Sequence, residues 1–540
     1  MKRTSLYSTA GILLITLIVV LVNLIANTRF FRLDLTEGKT FTLSPASKQV
    51  VGNLQDPLTV KVFASRNLSP QLGDVKRFLN DLLSDYRAYG HGRFRYEFID
   101  PSTSDDLEKE AQSYRIPPFQ ENVWNKDQLE LKKVYLGAVF LYQDKQETLP
   151  AVQSTAGLEY NITSLIKRLT SQQDRTIGFL TGHGEATTGE NLRQVSQVLQ
   201  SNYKVREVDL TGLDGVPDDI DVLLIIDPQS EIPDADKLKV DQFIMKGRPV
   251  GWFFNKVDAD LQRGMARSRL LKIDEWTKTY GFRVNEDLVA DLSSEMIQIQ
   301  QRAGFFTIAN TIKYPFFPRL NRFNKDHSIT ANFEVASLFF PSSIDTTLAA
   351  DKEIKLTPLM FSGDRSMVEE GRYNINATRK FSEAEFDRAY LPLAAALEGP
   401  FDSYFAARDL PTDEDGKTIL PEDELVKKAP ENTRMVVVGD GLFLRDDYLS
   451  NPSNVLFLLN SVDWLVNDTD LIALRTREVK MRPLKDIAAA QKQVWKTVNC
   501  SFSALSPWCC SPSTGCSSPA ACRTGRWSGS RKWTPRRSPR

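Results

Sequence analysis

Three patterns of hydrophobic and polar residues follow one another along the chain, and each predicts a different kind of structure. Residues 9–26 are almost entirely apolar, and roughly 18 residues at about 1.5 Å each just cross a bilayer core of about 30 Å. Apolar residues then alternate at 60–64 and recur at helical spacing over 75–86. From residue 176, short continuous apolar runs alternate with helical patterns. The chain therefore predicts a membrane-spanning helix followed by α/β structure.

The first stretch after the apolar run predicts a small α/β domain over residues 45–172. Ser44 is expected to cap a helix whose first residue is Pro45. Alternating residues predict strands near 60–64, 94–98 and 133–142, and apolar spacing over 158–169 predicts an amphipathic helix. A thioredoxin-like description fits this order, but the segment has no Cys-x-x-Cys pair and so no redox chemistry of that kind.

A second, larger α/β domain is predicted over residues 173–485. Continuous apolar strands near 177–181, 221–226 and 250–254 alternate with helices, which argues for a mostly parallel sheet covered on both faces. The pattern loosens over about 295–430, which we interpret as an irregular insertion. A strand at 435–438 and an apolar helix at 455–465 follow. This late pair is expected to complete the sheet.

The apolar run belongs to a predicted anchor and juxtamembrane segment, residues 1–44. Lys2 and Arg3 before the run favour a cytoplasmic N-terminus, although Arg29 and Arg32 after it weaken that bias. A cleaved signal peptide is the alternative. The run is long for a signal peptide, and Leu24 stands where a small residue is preferred. We therefore favour an uncleaved anchor.

Composition describes an ordinary globular body with an unusual tail. Charged residues make up 25%, hydrophobic residues 41%, and the net charge of −1 favours no nucleic-acid partner. All five cysteines lie at or after residue 500, in a segment rich in Ser, Pro, Arg and Trp. For the C-terminal segment 486–540, a reading-frame slip from residue 500, a disordered basic tail and a cysteine-based metal site remain open interpretations.

The best candidate binding site is the turn Gly182, His183, Gly184 and Glu185, which follows a predicted strand and precedes a predicted helix. Free backbone N–H groups at such a helix start attract anions. The competing interpretation is that the glycines only make the turn and that the two polar residues lie on the surface. Asp227 and Asp440 follow two further strands, so a carboxylate-rich site with Glu185 is geometrically open. Aspartates there are also common turn formers.

Several chemistries are not indicated by the sequence. The complete Walker A pattern is absent, and residues 1–499 contain no cysteine to act as a nucleophile. The three histidines, His91, His183 and His327, are far apart in sequence, so we expect no metal site. No cofactor is predicted.

An ordered set of motifs resembles the GldG-like auxiliary proteins of ABC transport systems, found in gliding-motility transporters and other bacterial ABC operons. The motifs are the juxtamembrane segment 32–44, the turn 182–185, the strand end 438–440 and an Asn460-x-x-x-Trp464 pair. The resemblance covers about residues 1–499. It implies a non-ATPase subunit that is anchored in the bacterial inner membrane, has the bulk of its chain in the periplasm, and works with separate ATPase and permease subunits.

The resemblance also implies that the second domain is like a class I glutamine amidotransferase, without the cysteine that such enzymes need. Members of the family usually end in a second membrane span, and no apolar run follows residue 499 here. Our leading hypothesis is thus a non-enzymatic auxiliary subunit with a binding or assembly role and unknown cargo. The alternatives are an extracytoplasmic hydrolase or carbohydrate-active enzyme that uses Glu185 and Asp227 as acid and base, and a purely structural protein.

Overall fold

A computed structural model describes residues 42–468 except 126–127, 171–174, 304–305, 351, 413–417 and 450, together with residues 14, 16, 17 and 472. The predicted anchor helix at 9–26 lies almost wholly outside the described residues, and the C-terminal segment 486–540 lies outside them altogether. Within the described part, no helix is both long enough and apolar enough to cross a membrane.

The first α/β region is built on a four-stranded sheet. Its helices are α1 (Pro45–Gly52), α2 (Pro70–Tyr89), α3 (Asp105–Ser113) and α4 (Leu158–Thr170). Its strands are β1 (Leu58–Ala64), β2 (Phe94–Ile99), β3 (Phe119–Asn125), β4 (Gln128–Val134), β5 (Leu136–Tyr142) and β6 (Lys145–Leu149). The sheet order is β2-β1-β5-β6, with β1 parallel to β2 and antiparallel to β5, while β3 and β4 form a separate hairpin. Side chains of β1, β5, α2 and α4 form its main core.

The predicted helix start at Ser44 and Pro45 is confirmed. The Ser44 hydroxyl accepts a hydrogen bond from the Ser47 backbone N–H at 3.0 Å, and Pro45 opens α1. One oxygen of the buried Glu159 carboxylate accepts from both the Ser44 backbone N–H and the Ser47 hydroxyl, each at 2.7 Å. Because these bonds satisfy free donors at the start of α1, they fix that helix against α4.

Among its described residues, the second region carries four α-helices and most of the strands. The helices are α5 (Arg193–Gln200), α6 (Asp234–Met245), α7 (Asp274–Thr279) and α8 (Pro452–Leu465). The first strands are β7 (Thr176–Thr181), β8 (Lys204–Asp209), β9 (Val222–Ile226), β10 (Val250–Phe253), β11 (Val257–Asp260), β12 (Met265–Ser268), β13 (Arg283–Val284) and β14 (Asp287–Asp291). The remaining strands are β15 (Ser294–Ala303), β16 (Phe306–Leu320), β17 (Arg322–Phe323), β18 (Ala336–Ser337), β19 (Ile344–Asp345), β20 (Lys355–Phe361), β21 (Ser366–Glu370), β22 (Tyr373–Asn374), β23 (Pro392–Glu398) and β24 (Arg434–Val438).

Eight of these strands form one sheet in the order β17-β20-β23-β24-β10-β9-β7-β8. The five strands from β24 to β8 are parallel, and β23, β20 and β17 continue the sheet in antiparallel fashion. Leu224 and Ile226 of β9 face the core beneath α5 and α8, whereas Leu223 and Ile225 face the core beneath α6 and α7. Both faces are therefore covered, as the continuous apolar strands predicted.

The late strand and helix, β24 and α8, join this sheet as expected, because β24 pairs in parallel with β10. The region 295–430 is more regular than its sequence suggested. It supplies β17, β20 and β23 to the main sheet, and β15 and β16 form a long hairpin. Its Pro- and Phe-rich runs obscure the alternation that identifies a strand. The α/β class is thus confirmed, and the predicted domain boundaries stay predictions.

Candidate functional site

The candidate residues lie at one edge of the main sheet. Its parallel part runs β8-β7-β9-β10-β24, an order that reverses direction between β7 and β9, and ligands of open α/β sheets bind outside the carboxyl ends of strands at such a point. The turn 182–185 follows β7, Asp227 follows β9 and Asp440 lies two residues after β24. All six candidate residues therefore lie at the carboxyl ends of the parallel strands, and their role in ligand binding stays a prediction.

The helix expected directly after the turn 182–185 begins later. Helix α5 starts at Arg193, and Asp446 occupies its N-terminus by accepting hydrogen bonds from the backbone N–H groups of Arg193 and Gln194, each at 3.0 Å. The backbone N–H of Ala186 donates to the Ile226 carbonyl at 3.0 Å. The His183 backbone N–H likewise donates to Glu185. Two donors at this turn and the N-terminus of α5 are therefore already bonded within the chain, which weakens the anion-binding hypothesis at these groups.

His183 is buried within a chain of charged side chains that we call the histidine cluster: Glu185, His183, Asp236 and Lys239. The ring Nδ1 lies 2.9 Å from Glu185 Oε1, and Nε2 lies 3.1 Å from Asp236 Oδ2. The second oxygen of Glu185 accepts from the His183 backbone N–H at 2.7 Å, and Lys239 Nζ lies 2.8 Å from Asp236 Oδ1. The interpretation that His183 and Glu185 are surface groups is wrong, because their side chains are 7% and 0% exposed.

The charges of the histidine cluster favour a protonated imidazole. Burial lowers the pKa of His183, but the hydrogen bonds to Asp236 and Glu185 and their negative charges outweigh it and raise this pKa to about 9. For Asp236, burial raises the pKa, and the bonds from His183 and Lys239 bring it below its ordinary value. At neutral pH both ring nitrogens therefore donate to carboxylates, and neither is free to act as a base.

The glycines bring the turn close to the loop after β9. The backbone of Gly184 has φ +81°, and a Cβ there would lie 2.8 Å from Gln229 Cβ. The carbonyl of His183 accepts from the backbone N–H groups of Gln229 and Ser230 at 3.0 and 3.1 Å. The turn therefore packs directly against Gln229 and Ser230, and these residues fill the space at the switch point between β7 and β9.

Asp227 is held by two arginines from distant parts of the chain. Its side chain is 1% exposed, its backbone has φ +56°, and its carboxylate oxygens lie 2.5 Å from Arg269 Nη1 and 3.2 Å from Arg445 Nη1. The left-handed backbone of a non-glycine residue stores strain that the surrounding bonds must offset. Asp227 therefore joins the end of β9 to the segments that follow β12 and β24.

Asp440 is fully buried and accepts only backbone donors among the described residues. Its oxygens accept from Phe339 and Leu442, each at 2.6 Å, and from Phe443 at 3.3 Å. Burial raises the pKa of Asp440 to about 7 against these hydrogen bonds. The neighbouring Gly441 is required by close packing, since a Cβ there would lie 2.7 Å from Asp227 Cβ.

This arrangement suits structural support better than proton transfer. Glu185 is bonded to His183, Asp227 to two guanidinium groups and Asp440 to three backbone amides. No group of three or more His, Cys, Asp or Glu side chains in the described part of the chain is arranged to hold a metal ion.

Sequence reasoning missed the partners of these candidates: Asp236, Arg269, Arg445 and Asp446. Asp236 and Lys239 stand three residues apart at the start of α6, a spacing that predicts an ion pair on a helix. Arg269 and Arg445 lie outside helices and strands, and no periodicity indicates which carboxylate they meet. Of these partners, only Asp236 could have been inferred from the sequence, through its spacing from Lys239.

Comparison with known proteins identifies the family. A sequence model of the family described as "ABC-type uncharacterized transport system" matches residues 174–468, more than half of the chain. The chain belongs to this family. The resemblance to ABC auxiliary proteins is thereby confirmed, and it supports an accessory role in ABC transport.

The family match begins just before β7 and ends just after α8, so it contains the whole candidate site. A second match, to a domain of unknown function (DUF7088), covers residues 37–141. An uncharacterized protein of Borreliella burgdorferi is 23% identical over 479 residues, 86% of this chain and 88% of that protein. Among solved structures, the mmIFT52 N-terminal domain is 13% identical with a TM-score of 0.31, over 54% of this chain and 97% of that one.

Proposed function

We propose that this chain is a membrane-anchored, extracytoplasmic subunit that assembles with the ATPase and permease of an ABC transport system and has no catalytic activity of its own. The observation that carries the proposal is the family match over residues 174–468, the α/β body that holds the candidate site. The apolar run at 9–26 would attach this body to the bacterial inner membrane, with the body in the periplasm.

The site geometry supports a binding or assembly role. A hydrolase of the kind considered from the sequence needs one carboxyl group as acid and another as base. Glu185 and Asp227 are each bonded to a cationic side chain and are almost fully buried. Residues 1–499 contain no cysteine that could serve as the nucleophile of an amidotransferase reaction. We therefore propose that the scaffold serves for contact with other subunits.

Co-purification tests the proposed partners. The tagged full-length chain would be extracted from its native membrane with a mild detergent and analysed by mass spectrometry. We expect one Walker-motif ATPase and one polytopic permease to be recovered in constant ratio, and an unrelated inner-membrane protein with the same tag serves as control. Repeated recovery of the intact chain without these subunits would refute the proposal.

A pair of variants tests the anchor. Leu14→Arg with Leu17→Arg places two charges in the apolar run, at a cost of roughly 2.5–3.5 kcal/mol each near a bilayer centre. We expect this variant to leave the membrane fraction, and the matched Leu14→Ile, Leu17→Ile variant to stay. Protease treatment of spheroplasts should cut the body of the wild-type chain. A mature chain that begins after residue 26 would instead indicate a cleaved signal peptide.

A further inference from the structure

A cavity lined by arginines lies at the ends of the parallel strands opposite the candidate site. The cavity has a volume of about 200 Å³ and opens where β7, β9, β10 and β24 begin, and its lining includes Arg175, Arg248, Arg434 and Asp221. Each of these side chains comes from the residue that starts, or closely precedes, one of the four neighbouring strands. Parallel pairing brings the amino ends of these strands together, and so it brings the three guanidinium groups to one place.

The cavity has more positive than negative charge. Arg175 Nη1 and Arg248 Nη1 both approach the same oxygen, Oδ1 of Asp221, at 2.8 and 3.5 Å. The other oxygen of Asp221 accepts from the Thr176 backbone N–H at 2.8 Å. Asp221 is the one acidic residue in the described lining. Two guanidinium groups thus share one carboxylate oxygen, and their mutual repulsion is only partly offset.

The third arginine is fixed in position by its own bonds. Arg434 Nε donates to Glu398 at 3.1 Å, Nη1 donates to the carbonyl of Trp464 at the end of α8 at 2.8 Å, and the guanidinium stacks 4.8 Å from the Trp464 ring. Among the described residues, no hydrogen-bond partner of Arg434 Nη2 or of Arg175 Nη2 is found. Arg434 therefore presents a preorganised charge to the cavity while its other donors serve the fold.

We propose that this cavity binds a small oxyanion, a phosphate or a phosphate ester, between Arg175, Arg248 and Arg434. Guanidinium groups present planar pairs of N–H donors that match phosphate oxygens, and such charge-assisted bonds are about twice as strong as neutral ones. An anion placed there would offset the repulsion between Arg175 and Arg248 further than Asp221 does. The phosphate comes either from a soluble ester or from the headgroup of a phospholipid, and both present the same oxygens.

Titration calorimetry on the full-length chain tests the proposal with two water-soluble probes: inorganic phosphate, and glycerophosphoglycerol as the headgroup of an anionic lipid. The test variant is Arg175→Gln with Arg248→Gln, because both side chains are partly exposed and make few other bonds. The control is Arg206→Gln, which removes an exposed arginine that pairs with Asp219 outside the cavity. Circular dichroism and thermal unfolding check that each variant is folded.

We expect the wild type and the control to bind at least one probe, and the double variant to bind it at least about tenfold more weakly, as loss of charged hydrogen bonds implies. Binding of inorganic phosphate alone assigns the site to a free phosphate or a soluble ester. Binding of glycerophosphoglycerol assigns it to a lipid headgroup. The proposal is overturned if the wild type binds neither probe, or if the double variant binds as tightly as the control.

Discussion

Deprotonation of His183 is expected to destabilise the fold. Its pKa lies at about 9 in the folded chain, where burial lowers it and the bonds to Asp236 and Glu185 raise it more, against about 6.5 when unfolded. The folded pKa is the higher one, so the stabilisation is fully present below about pH 6.5 and is lost as the pH rises through about 9. The difference in pKa corresponds to about 3 kcal/mol of unfolding free energy.

Urea denaturation measures this contribution. The free energy of unfolding of the full-length chain would be determined at intervals between about pH 6 and pH 10, for the wild type and for His183→Gln. Asp440, whose pKa burial raises to about 7, titrates in both proteins, and the difference between the two curves removes its effect. We expect the wild type to lose about 3 kcal/mol more than the variant across this range.

The control for this measurement is His91→Gln, which removes an exposed histidine that lies in the turn before β2. It should follow the wild-type curve. If the wild type and His183→Gln lose the same free energy over the range, the histidine cluster does not hold a proton, and the structural interpretation of the turn is refuted.

Three substitutions test other contacts at the same edge of the sheet. Asp227→Asn should destabilise the chain by roughly 3–5 kcal/mol, because it leaves Arg269 and Arg445 without their carboxylate. A midpoint of urea denaturation equal to that of the wild type would contradict this. Gly439→Ala should prevent proper folding or shift the backbone, since the new Cβ would lie 1.9 Å from the Ser342 carbonyl oxygen, and soluble yield with circular dichroism measures it. Asp446→Ala should cost about 1 kcal/mol through loss of the α5 cap, with Asp446→Asn as the milder control; equal stability of all three proteins would show that the cap contributes nothing.

The histidine cluster changes the interpretation of the motif at 182–185. From the sequence, Gly-His-Gly-Glu indicated an anion site at a helix start. In the structure, the residues of this motif contact other parts of the fold. Glu185 and Asp236 bond to the His183 ring, and Gly184 allows the turn to approach Gln229 closely. A motif at a switch point can thus be required for the junction between two loops and need not bind a ligand.

The sequence by itself determined the class of the fold and the edge at which the candidate residues gather. Continuous apolar strands such as β9 fix a sheet buried on both faces, and Ser44 with Pro45 fixes a helix start, because these depend on neighbours along the chain. The order of motifs also indicated the ABC auxiliary family, which the family match confirms.

Only the tertiary structure decided the state of each side chain at that edge. Arg269 and Arg445 meet Asp227 from positions 42 and 218 residues away in the sequence, and Asp236 lies 53 residues from His183. Whether a carboxylate is a free acid, a salt-bridge partner or a helix cap depends on burial and on partners brought from such distances. No local pattern records those partners, and so the sequence indicated where the candidate residues lie but could not determine their chemistry.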